Sequence, residues 1–308
     1  MERARLAGVH PSRLDAEDLR RPFHGVRQGV GVPETVASRA LAYAERMPPR
    51  QVFSHVTAAL LWGMPLPHRL ERDLRLHVAV APGSTRPLAS GVVGHVVRAD
   101  RLGVVALGGL RLASPADTWC QLASLLEVDD LVAVGDFLVT GQEPSGRSAA
   151  LCTRSELEAA IRRHRGCRGA IRLRAALALV RYGSLSRRET FMRLDLLRAG
   201  LPEPTPNLVV SDANGVAVAM VDLGFAEYRV GIEYQSDLHR DPARYRSDVR
   251  RLERLLDAGW LIVQATADDV SADGRLRNSA EFADRVAKRL RARGWRPGAR
   301  RGAPPAGP

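Results

Sequence analysis

The C-terminal half of the chain constrains the fold most, because its helix and strand patterns follow one another in a defined order. A helix is predicted to open at Ser186, and three apolar runs with the length of strands follow it. The elements after Ser186 are strands at 207–211, 216–223 and 228–234, a charged helix over 242–258, a strand at 260–266 and a helix over 279–293. The order α-β-β-β-α-β-α predicts a mixed α/β unit of about 100 residues.

The N-terminal part predicts a separate α+β domain over residues 1–140. Ser114 is a plausible N-cap, with Pro115 as the first helical residue behind it. The predicted elements are helices over 33–47 and 54–67, strands at 74–80, 92–98 and 104–112, and helices over 114–126 and 129–139.

Composition shifts set the domain boundaries. The polar, Gly- and Pro-bearing stretch at 141–153 predicts a linker, and 154–293 predicts a second domain with a helical lead-in and a core at 186–270. The basic, Pro- and Gly-rich end, 294–308, predicts a disordered tail. A length of 308 residues with 45% hydrophobic content also suits about two domains.

The charge balance is strongly basic, at +12 from 46 basic and 34 acidic residues. Clustered cations release counterions when they meet phosphates, so this excess favours a nucleic-acid partner. Lys288 is the only lysine, and so complete a preference for arginine also fits a coding bias spread over the whole surface. The charge by itself therefore leaves DNA binding and coding bias open.

Three cysteines, Cys120, Cys152 and Cys167, exclude a disulfide framework, and their spacing does not suggest a zinc finger. The N-terminus has no apolar core of the kind found in signal peptides, and no apolar run approaches the length of a membrane span. We therefore expect a cytoplasmic protein without a membrane partner.

Acidic residues in the second domain indicate either a metal site or a pair of charges on an exposed sheet face. If the runs around Asp222 and Glu233 pair as a hairpin, the two carboxylates meet near one sheet face and repel each other unless a divalent cation lies between them. Oxygen ligands suit Mg²⁺, which can activate water and polarise a phosphodiester. A third acid, Glu189, lies in the pattern Ser186-x-x-Glu189, which is also typical of a capping box without any catalytic role.

Taken in order, these residues resemble a known family. Ser186-x-x-Glu189, Val221-Asp222 and Ile232-Glu233-Tyr234, followed by LLDAGWLIVQATADDV at 255–270, are similar to the very-short-patch-repair-type endonuclease domains of the PD-(D/E)XK superfamily, often catalogued as a domain of unknown function. His239, Arg246, Asp248, Arg250 and Arg251 belong to the same string. The resemblance implies a restriction-endonuclease-like fold, a mixed central sheet flanked by helices. It also implies metal binding by Asp222 and Glu233, support from Glu189, and a role for His239 near the scissile phosphate.

The chain departs from this family after the glutamate. Relatives carry E-x-D-G or a lysine two residues on, whereas this chain has Gln235, which brings no charge but can orient a water or a phosphate oxygen. Lys288 lies in the last helix, away from the motif, and Asp237 is a shifted carboxylate. These departures leave the third corner of the metal site in question.

A basic flank precedes the acidic string, with 11 arginines between Arg162 and Arg198. Such a surplus can track a phosphate backbone, and a solvated helix face is the alternative. The candidate DNA-binding residues are Arg162, Arg163, Arg165, Arg168, Arg187, Arg188, Arg246 and Arg250.

The N-terminal part resembles, through FSHVTAALLWGMPLP (53–67) and GLRLASPADTWCQLA (109–123), the abortive-infection antitoxin family of transcriptional regulators. That resemblance implies a winged helix, for which residues 13–47 are the candidate. Trp62 and Trp119 are interpreted as core anchors.

Three hypotheses remain at this point. The chain is a metal-dependent DNA endonuclease, a non-catalytic antitoxin-like DNA-binding regulator with a degenerate nuclease fold, or a protein-interaction module. The sequence leaves monomer and homodimer open.

Overall fold

The structure is a computed structural model of the chain. It describes residues 6–140, 149–212, 214–235 and 242–298, and within 242–248 it describes only the backbone. The chain divides into two compact units, which meet in sequence between Val180 and Arg181. None of the helices in these residues is long and apolar enough to cross a bilayer.

The first unit is built on a five-stranded mixed sheet of order β5-β4-β3-β7-β6. A separate antiparallel pair, β1 and β2, precedes it. The strands are β1 (Leu19–Arg20), β2 (Gln28–Gly29), β3 (Val52–Phe53), β4 (Leu76–Val80), β5 (Val92–Val96), β6 (Val104–Leu107) and β7 (Leu110–Ala113). The helices are α1 (Val36–Ala44), α2 (His55–Leu61), α3 (His68–Glu71), α4 (Pro115–Leu122), α5 (Val128–Thr140), α6 (Arg154–Arg163) and α7 (Ala170–Leu179).

Local sequence accounts for several of these boundaries. The Ser114 hydroxyl accepts a hydrogen bond from the amide of Asp117, so the predicted N-cap of α4 is confirmed. The stretch predicted as one strand at 104–112 is two strands, because Gly108 and Gly109 both adopt positive φ and turn the chain into a hairpin. Trp119, at 0% exposure, is a core anchor as expected.

Two expectations for the first unit were wrong. Residues 13–47 hold a single α-helix, α1, and two-residue strands, so the described part of this stretch has no winged helix. Helices α6 and α7 pack with the first unit rather than leading into the second. Gly169, just before α7, shows how closely they pack, since a Cβ there would lie 2.2 Å from the carbonyl oxygen of Ala123.

The second unit has the predicted element order, α-β-β-β-α-β-α. Its four-stranded mixed sheet has the order β11-β10-β9-β8, antiparallel except for β10 and β11. The elements are α8 (Arg187–Arg198), β8 (Thr205–Ser211), β9 (Ala217–Phe225), β10 (Val230–Tyr234), α9 (Pro242–Asp257), β11 (Leu261–Ala265) and α10 (Ser279–Ala292). The coarse expectation of a mixed sheet flanked by helices is therefore confirmed.

Helices cover both faces of this sheet. Met192 of α8 and Phe282 of α10 share one buried cluster with Ile232. On the other face, Leu255 of α9 packs against Val221 in a second cluster. Four consecutive residues of β10, 230–233, are buried, as a strand covered on both faces requires.

The predicted linker and tail lie partly outside the described residues, at 141–148 and 299–308. Where they are described, both are packed. The amide of Cys152 donates to the carbonyl of Leu138, and Trp295 is 9% exposed within the core of the second unit. The packed part of each domain therefore extends further than its polar composition indicates.

Candidate functional site

Asp222 lies within β9 at a point where the regular strand pairing is interrupted. The β8–β9 register passes over Asn207 and Asp222, although the residues on both sides of them are paired. Asn207 has a φ of 47°, a left-handed conformation that asparagine tolerates better than most residues. The amide of Tyr234 donates to Oδ2 of Asp222 at 2.8 Å, so a side chain takes the place of a backbone carbonyl in this ladder.

Glu189 is brought next to this break by the first turn of α8. The Ser186 hydroxyl donates to Oε1 of Glu189 at 2.7 Å and accepts from its amide at 3.2 Å. Oε2 of Glu189 accepts from the amide of Leu185 and from the side-chain amide of Asn207, at 2.9 and 2.5 Å. The carboxylate thus links the start of α8 to the distorted strand β8.

The chain contains a second sequence of the same kind, and the two differ in electrostatics. Thr153 and Glu156 form a complete capping box at the start of α6, where hydrogen bonds from the amide and hydroxyl of Thr153 lower the pKa of Glu156. At Glu189 burial raises the pKa, and the negative charge of Asp222 raises it further. Glu189 therefore differs from Glu156 in its surroundings, because burial and a neighbouring acid disfavour its charged form although the capping hydrogen bonds favour it.

Asp222 is also held in an unfavourable environment for charge. Burial raises its pKa, although the amide of Tyr234 and the nearby Arg251 and Arg188 act in the opposite direction. Two adjacent carboxyl groups with raised pKa values indicate a deficit of positive charge, which a cation or a proton can supply.

Glu233 has its counter-ion within the protein. The guanidinium of Arg251 on α9 donates to both Glu233 carboxylate oxygens, at 2.6 and 3.1 Å. Glu233 is 2% exposed, and the same guanidinium also donates to the carbonyl of Met220. The planar fork of arginine suits this bidentate contact, which a lysine could not reproduce.

Arg188 completes the surroundings of the acids. Its guanidinium stacks on the ring of Tyr234, with 3.7 Å between the guanidinium carbon and the ring centroid. Its Nε is buried and has no hydrogen-bond partner among the described residues. A buried donor in that state is uncommon and indicates a place for an acceptor such as a phosphate oxygen.

The residue types at this site suit a divalent cation, but their present contacts suit it less well. An aspartate and two glutamates are the oxygen donors that Mg²⁺ prefers, and the raised pKa values of Glu189 and Asp222 favour an added cation. Both oxygens of Glu233 are occupied by Arg251. Among the described residues, one group of three His, Cys, Asp or Glu side chains brings its ligand atoms within 4.8 Å of one another, and it consists of histidines of the first unit.

Among the other predicted site residues, Gln235 follows β10, and its backbone amide donates to the carbonyl of Ala265 at 2.8 Å. His239, Asp237 and the side chain of Arg246 lie outside the described residues. Lys288 is exposed on α10, as its position in the sequence indicates.

The predicted DNA-binding arginines belong to two different units. Arg162, Arg163, Arg165 and Arg168 are exposed residues of the first unit, whereas Arg187 and Arg188 lie in the second. Arg250 is exposed on α9.

Several neighbouring arginines are committed to ion pairs. Arg163 binds Asp117 at 2.8 Å. Arg193 is 0% exposed and, like Arg181, binds Glu203 at 2.9 Å. The basic stretch in the sequence is therefore partly structural.

Three contacts of the site could not be found from sequence. The pairing of Arg251 with Glu233 joins residues 18 positions apart, the Asn207–Glu189 bond again spans 18, and the stacking of Arg188 on Tyr234 crosses from a helix to a strand. In the sequence, Arg251 belongs to the endonuclease-like string and to a charged helix, but no local pattern identifies its partner. The acids and arginines can be singled out from the sequence, whereas the contacts between them depend on the fold.

Comparison with known proteins gives relatives but no activity. The chain is 29% identical over 235 residues to an uncharacterized protein of Mycobacterium tuberculosis strain CDC 1551 and to one of strain H37Rv, covering 76% of this chain and 79% of each relative. No family model matches the chain. No solved structure matches it either.

Proposed function

We propose that the protein acts on DNA and that its second unit is a restriction-endonuclease-like, metal-dependent phosphodiesterase. The observation that carries this proposal is the pair of partly buried carboxyl groups, Glu189 and Asp222, whose pKa values are both raised and which lie beside a third acid on the next strand. Acids gathered in this way need a cation when they ionise. The element order of the unit and the placement of Asp222 and Glu233 on adjacent strands are what the endonuclease resemblance implies.

In this proposal Asp222 and Glu233 hold Mg²⁺, and Glu189 supports Asp222 from the start of α8. The cation supplies Lewis-acid stabilisation of the negative charge that develops on the phosphate. Arg188 lies beside Asp222, where its unpartnered Nε can bind a phosphate oxygen. Gln235 orients a water or a phosphate oxygen, and His239 transfers a proton to the leaving oxygen.

The Glu233–Arg251 pair has a defined place in this proposal. With its guanidinium on Glu233, Arg251 neutralises that acid. If Glu233 held a cation, this guanidinium would have to turn toward other acceptors. Arg251 also acts electrostatically on Asp222, so its displacement would strengthen the demand of both acids for a cation.

The direct test is nicking of supercoiled plasmid by the purified full chain with Mg²⁺ or Mn²⁺. We expect cleavage that falls at least about 100-fold in Asp222→Asn and in Glu233→Gln, since each change removes one charged ligand. Asp284→Asn, at an exposed site on α10, is the matched control and should cleave as wild type does. Absence of cleavage, or cleavage that is equal in all four proteins, would contradict the enzymatic proposal.

Binding of the DNA backbone is tested by salt dependence. We expect the triple change of Arg162, Arg165 and Arg168 to glutamine to weaken binding and to lower the slope of log affinity against log salt by about 0.9 for each phosphate that is no longer bound. The same change at Arg50, Arg72 and Arg111, elsewhere in the first unit, serves as the control for total charge. An equal effect of both triple variants would show that net charge alone drives binding.

A second candidate function is a non-catalytic, antitoxin-like DNA-binding regulator. The observation in its favour is the bidentate Glu233–Arg251 pair, in which a guanidinium satisfies an acid that would otherwise hold metal. Gln235 in place of a charged residue agrees with it. Salt-dependent binding of duplex DNA without nicking, unchanged in Asp222→Asn and without metal affinity in the second unit, would favour this function over the first.

A further inference from the structure

Three histidines of the first unit converge although they are far apart in sequence. His77 lies on β4 and His95 on the parallel neighbour β5, where the register pairs His95 with Ala79. Because alternate residues share a sheet face, both imidazoles lie on the same side. His55 is the first residue of α2 and is separated from the end of β3 by Ser54 alone. Strand β3 pairs with β4 on the side of β4 that faces away from β5.

The three rings are in contact. Nδ1 of His77 and Nε2 of His95 are 3.0 Å apart, and the ring of His55 stacks on that of His95 with 3.7 Å between centroids. One ring nitrogen from each histidine lies within 4.8 Å of the other two. The three rings are therefore close enough for each to supply one ligand atom to a single ion.

The surrounding residues keep these imidazoles neutral and in place. Burial lowers the pKa of His77 and of His95 to about 4, and lowers that of His55 well below its usual value. The other titratable neighbours act on single rings: Asp73 and Arg75 on His77, Arg86 on His95, and His164 on His55. Neutral imidazole is the form that binds metal.

The backbone at His55 is held in a conformation that needs compensation. Its φ is 48°, which is uncommon for a residue other than glycine, and such strain concentrates at functional sites. Nδ1 of His55 contacts the hydroxyl of Ser54 at 3.0 Å, and the backbone amide of His55 donates to the side-chain oxygen of Gln121. Hydrogen bonding of the second ring nitrogen is how proteins orient a metal-binding histidine.

We propose that His55, His77 and His95 bind one divalent transition-metal ion, zinc in the first place, at the junction of β3, β4, β5 and α2. Three imidazoles suit zinc and its neighbours in the first transition row, whereas Mg²⁺ and Ca²⁺ require oxygen ligands that this cluster lacks. Zinc bound by three protein ligands keeps a fourth position open for water or another ligand.

Metal binding requires a small rearrangement of His77 against His95 and a larger one of His55 against His95. Tetrahedral bonds of about 2.0 Å place ligand nitrogens about 3.3 Å apart, so the contact between His77 and His95 opens by a few tenths of an ångström. The stacked rings of His55 and His95 must rotate about their side-chain torsions to direct one nitrogen of each at a common point. The ion then replaces a hydrogen bond and a stacking contact and joins the edge strand β5 to α2.

The probe is metal added to the chelator-stripped full chain. We expect Co²⁺ to give the intense visible absorption of a tetrahedral site, with one equivalent bound, and Zn²⁺ to displace it. His95→Gln should weaken Co²⁺ binding at least about 100-fold, because it removes one of three protein ligands. His68→Gln, an exposed histidine on α3, is the matched control and should bind as wild type does.

Two further measurements keep the outcome decisive. Asp222→Asn should retain the cobalt spectrum, because the carboxylate site lies in the other unit; loss of the spectrum in that variant would overturn the assignment to the histidines. X-ray absorption of the zinc-loaded wild-type chain should show imidazole scattering, and its absence would overturn the proposal even if His95→Gln fails to fold. Absence of the cobalt band at saturating metal would overturn it as well.

Discussion

Each unit contains an aspartate that is buried or partly buried, and the two aspartates differ in the hydrogen-bond donors around them. In the first unit Asp117 is 1% exposed and accepts hydrogen bonds from Gly103, Ser114, Arg163 and His164 at 2.8 to 3.1 Å. Burial raises its pKa, but these hydrogen bonds outweigh that effect and hold the pKa well below the usual range.

In the second unit Asp222 receives a short hydrogen bond from the amide of Tyr234 and faces another acid, Glu189. Burial raises its pKa, and the donors around it do not compensate. The comparison teaches that donor number and charge, rather than depth, decide whether a buried carboxylate is structural or available for a cation. The carboxylate of Asp117 joins α4 to α6 in its charged form, whereas burial disfavours the charged form of Asp222.

The largest effect is expected from removing the charge of Asp117. Asp117→Asn removes the counter-charge of Arg163 and turns one accepting carboxylate oxygen into an amide NH₂ that cannot accept, so we expect a loss of about 3 to 4 kcal/mol in the free energy of unfolding of the first unit. Asp222→Asn should leave the stability of the second unit unchanged or higher at pH 7. Urea denaturation followed by hydrogen exchange in each unit measures both, and equal losses would remove the distinction between the two aspartates.

Removal of the counter-ion of Glu233 should have a somewhat smaller effect. In Arg251→Gln we expect a loss of about 2 kcal/mol, because Glu233 is buried while Arg251 is itself partly exposed. The same variant frees Glu233 for metal, so Mn²⁺ affinity should rise about 10-fold by calorimetry. Arg254→Gln on the same helix is the control; Mn²⁺ affinity that stays constant in both would indicate that Glu233 is not a metal ligand.

The two aspartates should give pH dependences of opposite sign, each with a limiting slope of about 1.4 kcal/mol per pH unit for one proton. Asp117 has a lowered pKa, so its contribution is present above the unfolded pKa of about 4 and is lost as the pH falls. Asp222 has a raised pKa, so its contribution is present below about pH 4 and is lost as the pH rises through the folded value.

This pH contrast is measured by urea denaturation between pH 3 and 8. The slope on the acid side should become shallower in the first unit of Asp117→Asn, and the opposite slope should decrease in the second unit of Asp222→Asn. Slopes of the same sign in both units would contradict the pKa directions on which the comparison rests.

The smallest effect comes from the two N-caps. Thr153→Ala and Ser186→Ala should each cost about 1 kcal/mol, the usual value of an N-cap. Only Ser186→Ala should also change Mn²⁺ affinity or nicking, because the Ser186 hydroxyl donates to Glu189. A pure capping role for Glu189 predicts that neither substitution affects activity, so the Thr153 variant is the matched reference.

Sequence reasoning was most successful where local patterns decide the structure. The order of elements in the second unit and the cap at Ser114 follow from apolar periodicity and capping chemistry. It was less successful where one residue changes the path of the chain, as in the Gly108–Gly109 turn within an apolar stretch. Helices α6 and α7 belong to the first unit, where they pack closely around Gly169, and composition does not reveal such packing.

The candidate sites show the same limit. The acids stand out by their order in the chain, but the donor that satisfies Glu233 lies on another element, and the charge deficit at Asp222 depends on burial that only the folded chain provides. No sequence motif joins His55, His77 and His95: strand register brings His77 and His95 together, and the start of α2 after β3 adds His55.

The hydrogen bond from the Tyr234 amide to Asp222 gives the protein an internal spectroscopic reporter. Its partner is a carboxylate rather than a carbonyl, so the chemical shifts of this one backbone N–H respond directly to the charge on Asp222. In a uniformly ¹⁵N-labelled sample, one cross-peak would therefore record each proton or cation that the aspartate takes up. The state of the acid can be read from the main chain without altering any side chain of the site.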